Sequence, residues 1–454
     1  MVNFSDLNFI FRFLPVFLIA FYITPVRFRT WTLFLGSLLF YAVGDLRMLP
    51  ALLAAILVNF LFGKAQFGEK SRSLLFFILA IDAGMLIEFK ILSQFVNSAL
   101  MPIGISFYIF KMISYQMDVY SGKIDKEVAF IDVATYFSMF PQIVSGPIMR
   151  YDRYKENPML NEESSQDVSK WSCIEDGLRY FTVGLAMKVL VADHLSMLWN
   201  DIGTIGYESI STPLAWLGAY TYTMELYFDF WGYSLMASGI GVMLGFPFIV
   251  NFDHPYGSGS VSEFYRRWHA TLGSWFRDYI YFPLGGSRKG SFRTILNLFA
   301  VWLITGFWHG ITLNFILWGV VLFVIIVIEK FLVFAKLPEW LSKVIGRINV
   351  LVLIPLTWVV FAISDFDMLA MYFSRLFPFF GQGIAVNDND FFKNIGIYWM
   401  ILLPGLVLMI PKVFELWENR RSHVVFNVIW ILLFWFCIYS ISGAAGNPFL
   451  YFRF

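Results

Sequence analysis

Two histidines stand where a proton could be transferred inside an apolar protein. His269 lies in F-Y-R-R-W-H-A-T-L-G, and His309 lies in T-G-F-W-H-G, between Trp308 and Gly310. Apolar surroundings favour the neutral imidazole, which can act as a general base. Gly306, just before this motif's Trp308, permits a close helix approach or a helix break. The pattern predicts proton transfer at His309, and a structural histidine bonded to a carbonyl between helices is the alternative interpretation.

The surroundings of His269 have two interpretations. If the stretch is helical, Arg266 and His269 share one face, and the aromatic residues Trp268, Trp275 and Phe276 are interfacial anchors. In the first interpretation the histidine takes part in chemistry. In the second, the segment is an amphipathic helix on the membrane surface, and His269 is merely part of its polar face.

Basic residues crowd the sequence between the two histidines. The glycine-rich run P-L-G-G-S-R-K-G at 283–290 could hold a phosphate through its backbone N–H groups, although it is not a P-loop. A loop that contacts anionic lipid headgroups is the alternative. The candidate substrate-binding residues are Arg266, Arg267, Arg288, Lys289 and Trp308.

Two carboxylates, Glu225 and Asp229, lie in the apolar run Y-T-M-E-L-Y-F-D-F-W and share one helical face. Ionisable groups in such runs rarely face lipid. They could orient a histidine or bind a cation, but pairing with arginine is the favoured interpretation. Asn314, which follows the His309 motif, is grouped with them as a candidate that lines or orients the interior.

The composition identifies the scaffold that must position these residues. The chain has 454 residues, of which 58% are hydrophobic and 14% charged, so it is predicted to be an all-α polytopic membrane protein. Its apolar runs predict about ten to twelve transmembrane helices with shorter re-entrant or interfacial helices, all in a single domain covering residues 1–454. The net charge of +1 gives no reason to expect nucleic acid, and two cysteines cannot form a disulfide framework or a thiolate metal site. No metal and no bound cofactor are predicted.

Basic residues also predict the topology. They place 251–293 in the cytoplasm, while 365–396, both chain ends and the His309 end of its helix fall outside by alternation. The apolar run 213–250 does not fit this scheme well, because it is too long for one crossing and awkward for two. The exposed aromatic ending at 447–454 is predicted to contact a partner protein. Hydrolase, zinc-protease and dinucleotide motifs are absent.

Several motifs together resemble a known family. They are P-I-G-I-S-F-Y-I-F-K at 102–111, F-P-Q-I-V-S-G-P-I-M-R-Y at 140–151, L-Y-F-D-F-W-G-Y-S, the R-R-W-H to P-L-G-G block, G-F-W-H-G and N-P-F-L-Y-F-R-F. The chain resembles the membrane-bound O-acyltransferases (MBOAT), in particular the bacterial branch that includes the membrane subunit of alginate O-acetylation. The match runs nearly end to end. One departure concerns Trp231 and Leu235, which are bulky and apolar where branch members often carry a small and a polar residue.

The resemblance implies a bundle of helices around a central tunnel, with His309 and His269 as the catalytic histidines. It also implies an acyl thioester donor from the cytoplasm (acetyl-CoA or an acyl-carrier thioester) and an acceptor hydroxyl from outside. An extracytoplasmic SGNH, or serine-hydrolase-like, partner would complete O-acetylation of a cell-surface polysaccharide at the bacterial inner membrane. The alternatives are a D-alanyl transfer subunit for teichoic acids and a transporter of acyl groups or polymer without bond chemistry.

Overall fold

The computed structural model describes residues 3–162, 165, 169–378, 389–420 and 423–443. Within these ranges every regular element is a helix. The chain divides into two compact units, one formed mainly by Met1–Gly184 and Tyr233–Val250, the other mainly by Leu185–Gly232 and Asn251–Ser440. This division does not test the single domain expected over residues 1–454, which stays a prediction.

The first unit contains the helices up to α9 (Lys170–Ala186), whose last two residues, 185–186, belong to the second unit. They are α1 (Leu14–Ile23), α2 (Val26–Asp45), α3 (Leu49–Gly68), α4 (Arg72–Phe95), α5 (Ile105–Ser121), α6 (Phe130–Ser138), α7 (Phe140–Ile143), α8 (Tyr151–Lys155) and α9 (Lys170–Ala186). A buried polar group joins three of them. Asn59 of α3 donates to Asp82 of α4 at 2.8 Å, and Gln116 of α5 donates to the carbonyl of Asn59 at 2.7 Å. These bonds satisfy polar groups that would be costly in an apolar interior.

The second unit contains most of the remaining helices. They are α10 (Asp193–Ile205), α11 (Thr212–Met243, whose end belongs to the first unit), α12 (Val261–Arg267), α13 (Ala270–Phe276), α14 (Ser291–His309), α15 (Leu313–Ile328), α16 (Phe334–Lys336), α17 (Glu339–Ile348), α18 (Ile354–Ala362), α19 (Phe366–Leu376), α20 (Asp390–Leu408), α21 (Pro411–Arg420) and α22 (Val424–Gly443). Short π-helical segments at 187–192, 277–281, 329–333 and 349–353 adjoin them. Both predicted catalytic histidines belong to this unit.

Eight helical stretches among the described residues are long and apolar enough to cross a membrane. They are Val26–Gly68, Ser98–Ser121, Lys170–Ile205, Ser291–His309, Leu313–Lys336, Glu339–Ala362, Asp390–Leu408 and Val424–Gly443, with a shorter apolar stretch at Phe9–Ile23. Since Val26–Gly68 contains both α2 and α3, a count of crossings depends on how these stretches are divided. The prediction of an all-α polytopic membrane protein is confirmed.

Most of the ambiguous run at 213–250 belongs to one continuous helix, α11, which ends at Met243. Helix α11 has 32 residues and is therefore roughly 48 Å long, since an α-helix rises 1.5 Å per residue. The predicted partner-contact segment at 447–454 lies outside the described residues, as does part of the 365–396 loop. The predicted sidedness of the loops and chain ends stays a prediction.

Candidate active site

A cavity of about 560 Å³ in the second unit contains both histidines. It is lined by residues of α12 to α15, among them Ser262, Tyr265, Arg266, His269, Ser274, Arg277, Tyr281, Trp302, Thr305, His309 and Trp318. Most of the lining surface is apolar, and its polar groups include two imidazoles and two guanidinium groups. A largely apolar pocket with a few convergent polar groups is the usual form of a small-molecule site. Both histidines therefore line one cavity.

Helix packing sets the position of His309, the last residue of α14. A Cβ atom added at Gly306 would lie 2.7 Å from the carbonyl oxygen of Phe315 in α15, and one added at Gly319 would lie 2.5 Å from that of Trp302. These glycines therefore let α14 and α15 cross with their backbones in contact, which is one of the two roles considered for Gly306. The crossing places His309 at a fixed depth in the unit.

Aromatic rings enclose the imidazole of His309. The centroid of Trp318 lies 5.1 Å away and that of Phe361 5.0 Å away, both in edge-on geometry, and Trp308 lies at 4.5 Å. The side chain is 6% exposed. This enclosure restricts the ring's orientation.

His269 does not lie on a helix, so the predicted shared helical face with Arg266 is wrong. α12 ends at Arg267, α13 begins at Ala270, and His269 between them has a left-handed backbone conformation with φ 46° and ψ 52°. The surface-helix interpretation is also wrong, because His269 is only 3% exposed. The predicted interfacial anchors Trp268, Trp275 and Phe276 are likewise buried inside the protein.

Asn251 holds the ring of His269. Its Oδ1 lies 3.0 Å from Nδ1 of His269 and accepts bonds from the backbone N–H and the hydroxyl of Thr271, at 3.3 and 2.8 Å. The histidine lies outside the eight apolar stretches, and burial lowers its pKa to about 3. It is therefore neutral near pH 7. The sequence reasoning missed Asn251, because nothing in N-F-D-H-P-Y marks an asparagine as the partner of a residue so far along the chain.

The basic residues separate into two groups. Arg266 and Arg277 line the cavity and are solvent-exposed, so they stand where the cavity opens. Arg277 also bonds Asp278 at 2.8 Å. Arg267 bonds Glu263 at 2.6 Å and does not line the cavity. Arg288 and Lys289, exposed on the turns before α14, do not line it either. Of the residues predicted to bind substrate, only Arg266 lines this cavity. Trp308 contacts the ring of His269 at 6.4 Å and that of His309 at 4.5 Å without being a lining residue.

The predicted partners of Glu225 and Asp229 were arginines, but the cation beside Asp229 is Lys188. Its ammonium lies 2.8 Å from Asp229 and 2.5 Å from Asp193, and its side chain is 2% exposed. Neither Glu225 nor Asp229 lines the cavity, and their role as orienting residues stays a prediction. A lysine inside the apolar run G-L-A-M-K-V-L-V-A was a signal for this buried pairing that the sequence reasoning overlooked.

Asn314 does not line the cavity, but it is hydrogen-bonded to Phe361, whose ring packs on His309. Its amide donates to the carbonyl of Phe361 at 3.0 Å and its oxygen accepts from Thr312 at 2.6 Å. These bonds join the start of α15 to the end of α18, which carries the Phe361 ring that packs on His309. Trp231 and Leu235, which depart from the family pattern, are not lining residues, and the ring of Trp231 packs on His254 and Phe414.

Comparisons with known proteins identify the family. The sequence model described as "MBOAT, membrane-bound O-acyltransferase family" matches residues 74–341. The probable alginate O-acetylase AlgI of Pseudomonas putida is 31% identical, over 99% of this chain and 100% of the relative. That of Pseudomonas fluorescens is 36% identical over 83% and 76%, and the peptidoglycan O-acetyltransferase of Helicobacter pylori is 28% identical over 98% and 96%. This chain is a multi-pass membrane acyltransferase that belongs to the membrane-bound O-acyltransferase family.

Proposed function

We propose that this protein O-acetylates an exported cell-surface polysaccharide at the inner membrane of a bacterium. The relatives named above are alginate and peptidoglycan O-acetylating proteins, and two of them align over nearly the whole chain. The structural observation that carries the proposal is the shared cavity of His269 and His309, with Arg266 and Arg277 at its opening. A transporter without bond chemistry is not retained, because the family consists of acyltransferases.

The proposed reaction is acyl transfer from a thioester to a hydroxyl. The hydroxyl oxygen attacks the thioester carbonyl carbon while its proton passes to His309, the carbon–sulfur bond breaks, and the thiolate sulfur finally takes up the proton. Base catalysis of this kind contributes typically 10²–10⁴-fold. Positioning both reactants in a closed cavity lowers the barrier further.

The proposed donor is acetyl-CoA or an acyl-carrier thioester that enters from the cytoplasm. Both carry phosphate, and the exposed guanidinium groups of Arg266 and Arg277 suit a phosphate at the cavity opening. The proposed partner is an extracytoplasmic SGNH-type acyltransferase that passes the acetyl group to the polymer. D-alanine transfer to a teichoic acid differs in the acyl group and the acceptor, so analysis of the product distinguishes the two.

The test replaces His309 in the native host. A strain that lacks the protein is complemented with the wild type, His309→Ala or His423→Ala, and ester-linked acetate released from its surface polysaccharide by mild alkali is measured. His423 is exposed and is the matched control. We expect acetate with the wild type and His423→Ala, and none with His309→Ala at equal membrane abundance. Unchanged acetate in the His309 variant contradicts the proposal, and release of D-alanine favours the alternative.

A further inference from the structure

The oxygen of Asn251 is shared by three donors. Nδ1 of His269, the backbone N–H of Thr271 and the hydroxyl of Thr271 all lie within 3.3 Å of it. A backbone N–H can only donate, so the atom that it meets must be the amide oxygen and not the amide nitrogen. An oxygen offers His269 only an acceptor, and Nδ1 must therefore carry the hydrogen.

The backbone fixes the same arrangement. The N–H of Ala270 donates to the carbonyl of Asn251 at 2.8 Å, and the N–H of Asp253 donates to the carbonyl of Arg267 at 3.0 Å. The chain at 251–253 is thus joined to the chain at 267–270 on both sides of His269. These contacts hold the histidine at φ 46°, a conformation that costs energy for a residue other than glycine and that often accompanies a functional site.

The opposite nitrogen of the ring is not engaged. Nε2 of His269 is buried and has no hydrogen-bond partner among the described residues, while the ring lines the cavity. A buried acceptor without a partner normally destabilises a protein. A cavity that receives a substrate with a donor group removes this cost when the substrate binds.

We propose that Asn251 is a positioning residue that fixes the hydrogen of His269 on Nδ1 and so leaves Nε2 facing the cavity as a proton acceptor. This inference rests on the proposed acyltransfer and decides the part that His269 plays in it. A thioester carbonyl has only lone pairs, so a neutral His269 held in this form cannot donate to it. His269 therefore relays the proton and does not polarise the thioester.

With this assignment, every proton in the reaction can be followed from donor to acceptor. The hydroxyl loses its proton as its oxygen bonds to the carbonyl carbon, and His309 receives that proton. Nε2 of His269 holds it next, as the carbon–sulfur bond breaks. The thiolate sulfur then takes it, which leaves both imidazoles neutral. No oxidant, reductant or further reactant is needed.

The first experiment observes the tautomer without any reaction. The intact protein, labelled with ¹⁵N in its five histidines, is examined by NMR in detergent micelles, and the His269 signals are identified by their loss in His269→Gln. We expect a protonated Nδ1 and an unprotonated Nε2. Asn251→Leu should mix the two tautomers, whereas Thr271→Val, which removes another donor from the same oxygen, should leave the His269 signals in the wild-type form.

The second experiment follows thiol release from acetyl-CoA in proteoliposomes as a function of pH. The aromatic rings of Phe230 and Trp308 face His269. Among the charged residues that line the cavity, Arg266 is nearest to His269 in sequence. Asp229, on the helix of Phe230, is paired with Lys188. Asn251→Asp therefore adds the one carboxylate in contact with Nδ1. It should move the acid limb of the rate profile upward by about 1 to 3 pH units, because an opposite charge favours the protonated ring.

Asn251→Leu should lower the rate about 10- to 100-fold, the size of loss seen when a metal-bound histidine loses its orienting partner. A protonated Nε2 in the wild-type protein overturns the inference. So does an Asn251→Asp profile with an unmoved acid limb, since that variant keeps the acceptor and tests the charge alone. If one of these two results occurs but His309→Ala still loses activity, the inference about Asn251 is wrong and the proposed function is retained. If the expected tautomer is found but no polymer is acetylated, the proposed function is wrong and the tautomer assignment is retained.

Discussion

The two histidines reach one cavity through different kinds of local structure. His309 ends a 19-residue helix whose depth is set by backbone contact with α15 at Gly306 and Gly319. His269 lies in a turn between two seven-residue helices, and its ring is oriented by the side chain of Asn251. The position of His309 therefore depends on how closely two helices pack, while the position of His269 depends on hydrogen bonds. The same residue type can thus be positioned by packing or by polar contacts within one site.

The largest expected effect is a loss of reaction rate that differs in kind between variants of the two histidines. His309→Ala should lower the rate of thiol release by about 10²–10⁴-fold while donor affinity stays near that of the wild type, because the base is lost. His269→Ala should also lower the rate, with part of the loss in use of the donor. The measurement is acyl transfer in proteoliposomes with donor affinity determined separately. If His309→Ala retains near-wild-type transfer, its enclosure by aromatic rings is purely structural.

The second prediction tests the dependence on volume. Gly306→Ala should destabilise the protein by about 1–3 kcal/mol, because its Cβ would meet the carbonyl of Phe315. Gly396→Ala in α20 is the matched control, since a Cβ there meets nothing within 4 Å. The thermal unfolding midpoint in detergent should fall in the first variant and stay nearly constant in the second. Equal midpoints would show that α14 and α15 can separate without cost.

The third prediction concerns the arginines near the His269 turn. Arg266→Gln should raise the KM for acetyl-CoA about 5- to 10-fold with little change in kcat, since the side chain stands at the opening and away from the reacting bond. Arg288→Gln should change KM less, because Arg288 is exposed but does not line the cavity. A larger rise in KM for Arg288→Gln would assign donor binding to the turns before α14.

The smallest expected effect is a change in labelling without a change in rate. Cysteines introduced at Ser287 and Asn389, in a variant without Cys173 and Cys437, should react with an impermeant reagent from opposite sides of the membrane. The basic residues place 251–293 in the cytoplasm and 365–396 outside. Labelling from one side only would refute this topology and with it the cytoplasmic entry of the donor at the His269 turn.

Several features followed from the sequence because they depend on composition and local period. A 58% hydrophobic chain must be a membrane protein, and continuous backbone hydrogen bonding inside a membrane requires helices here. The motifs around His269 and His309 identified both as candidates, and both line one cavity, while close backbone approach was one of the two roles considered for Gly306. Each of these conclusions uses residues near one another in the chain.

The tertiary structure decided what depends on residues far apart. The helical interpretation at His269 failed because Asn251 and its neighbouring backbone hold a left-handed turn that local propensity disfavours. Lys188 reaches Asp229 from a distant part of the chain. The spacing of residues along the sequence could not show that this cation, a lysine, would lie beside Asp229. Exposed Arg266 lines the cavity and neighbouring Arg267 does not, since one helical step points their side chains in different directions. Residue types can be read from the sequence, but which polar groups meet is set by the packing of distant helices.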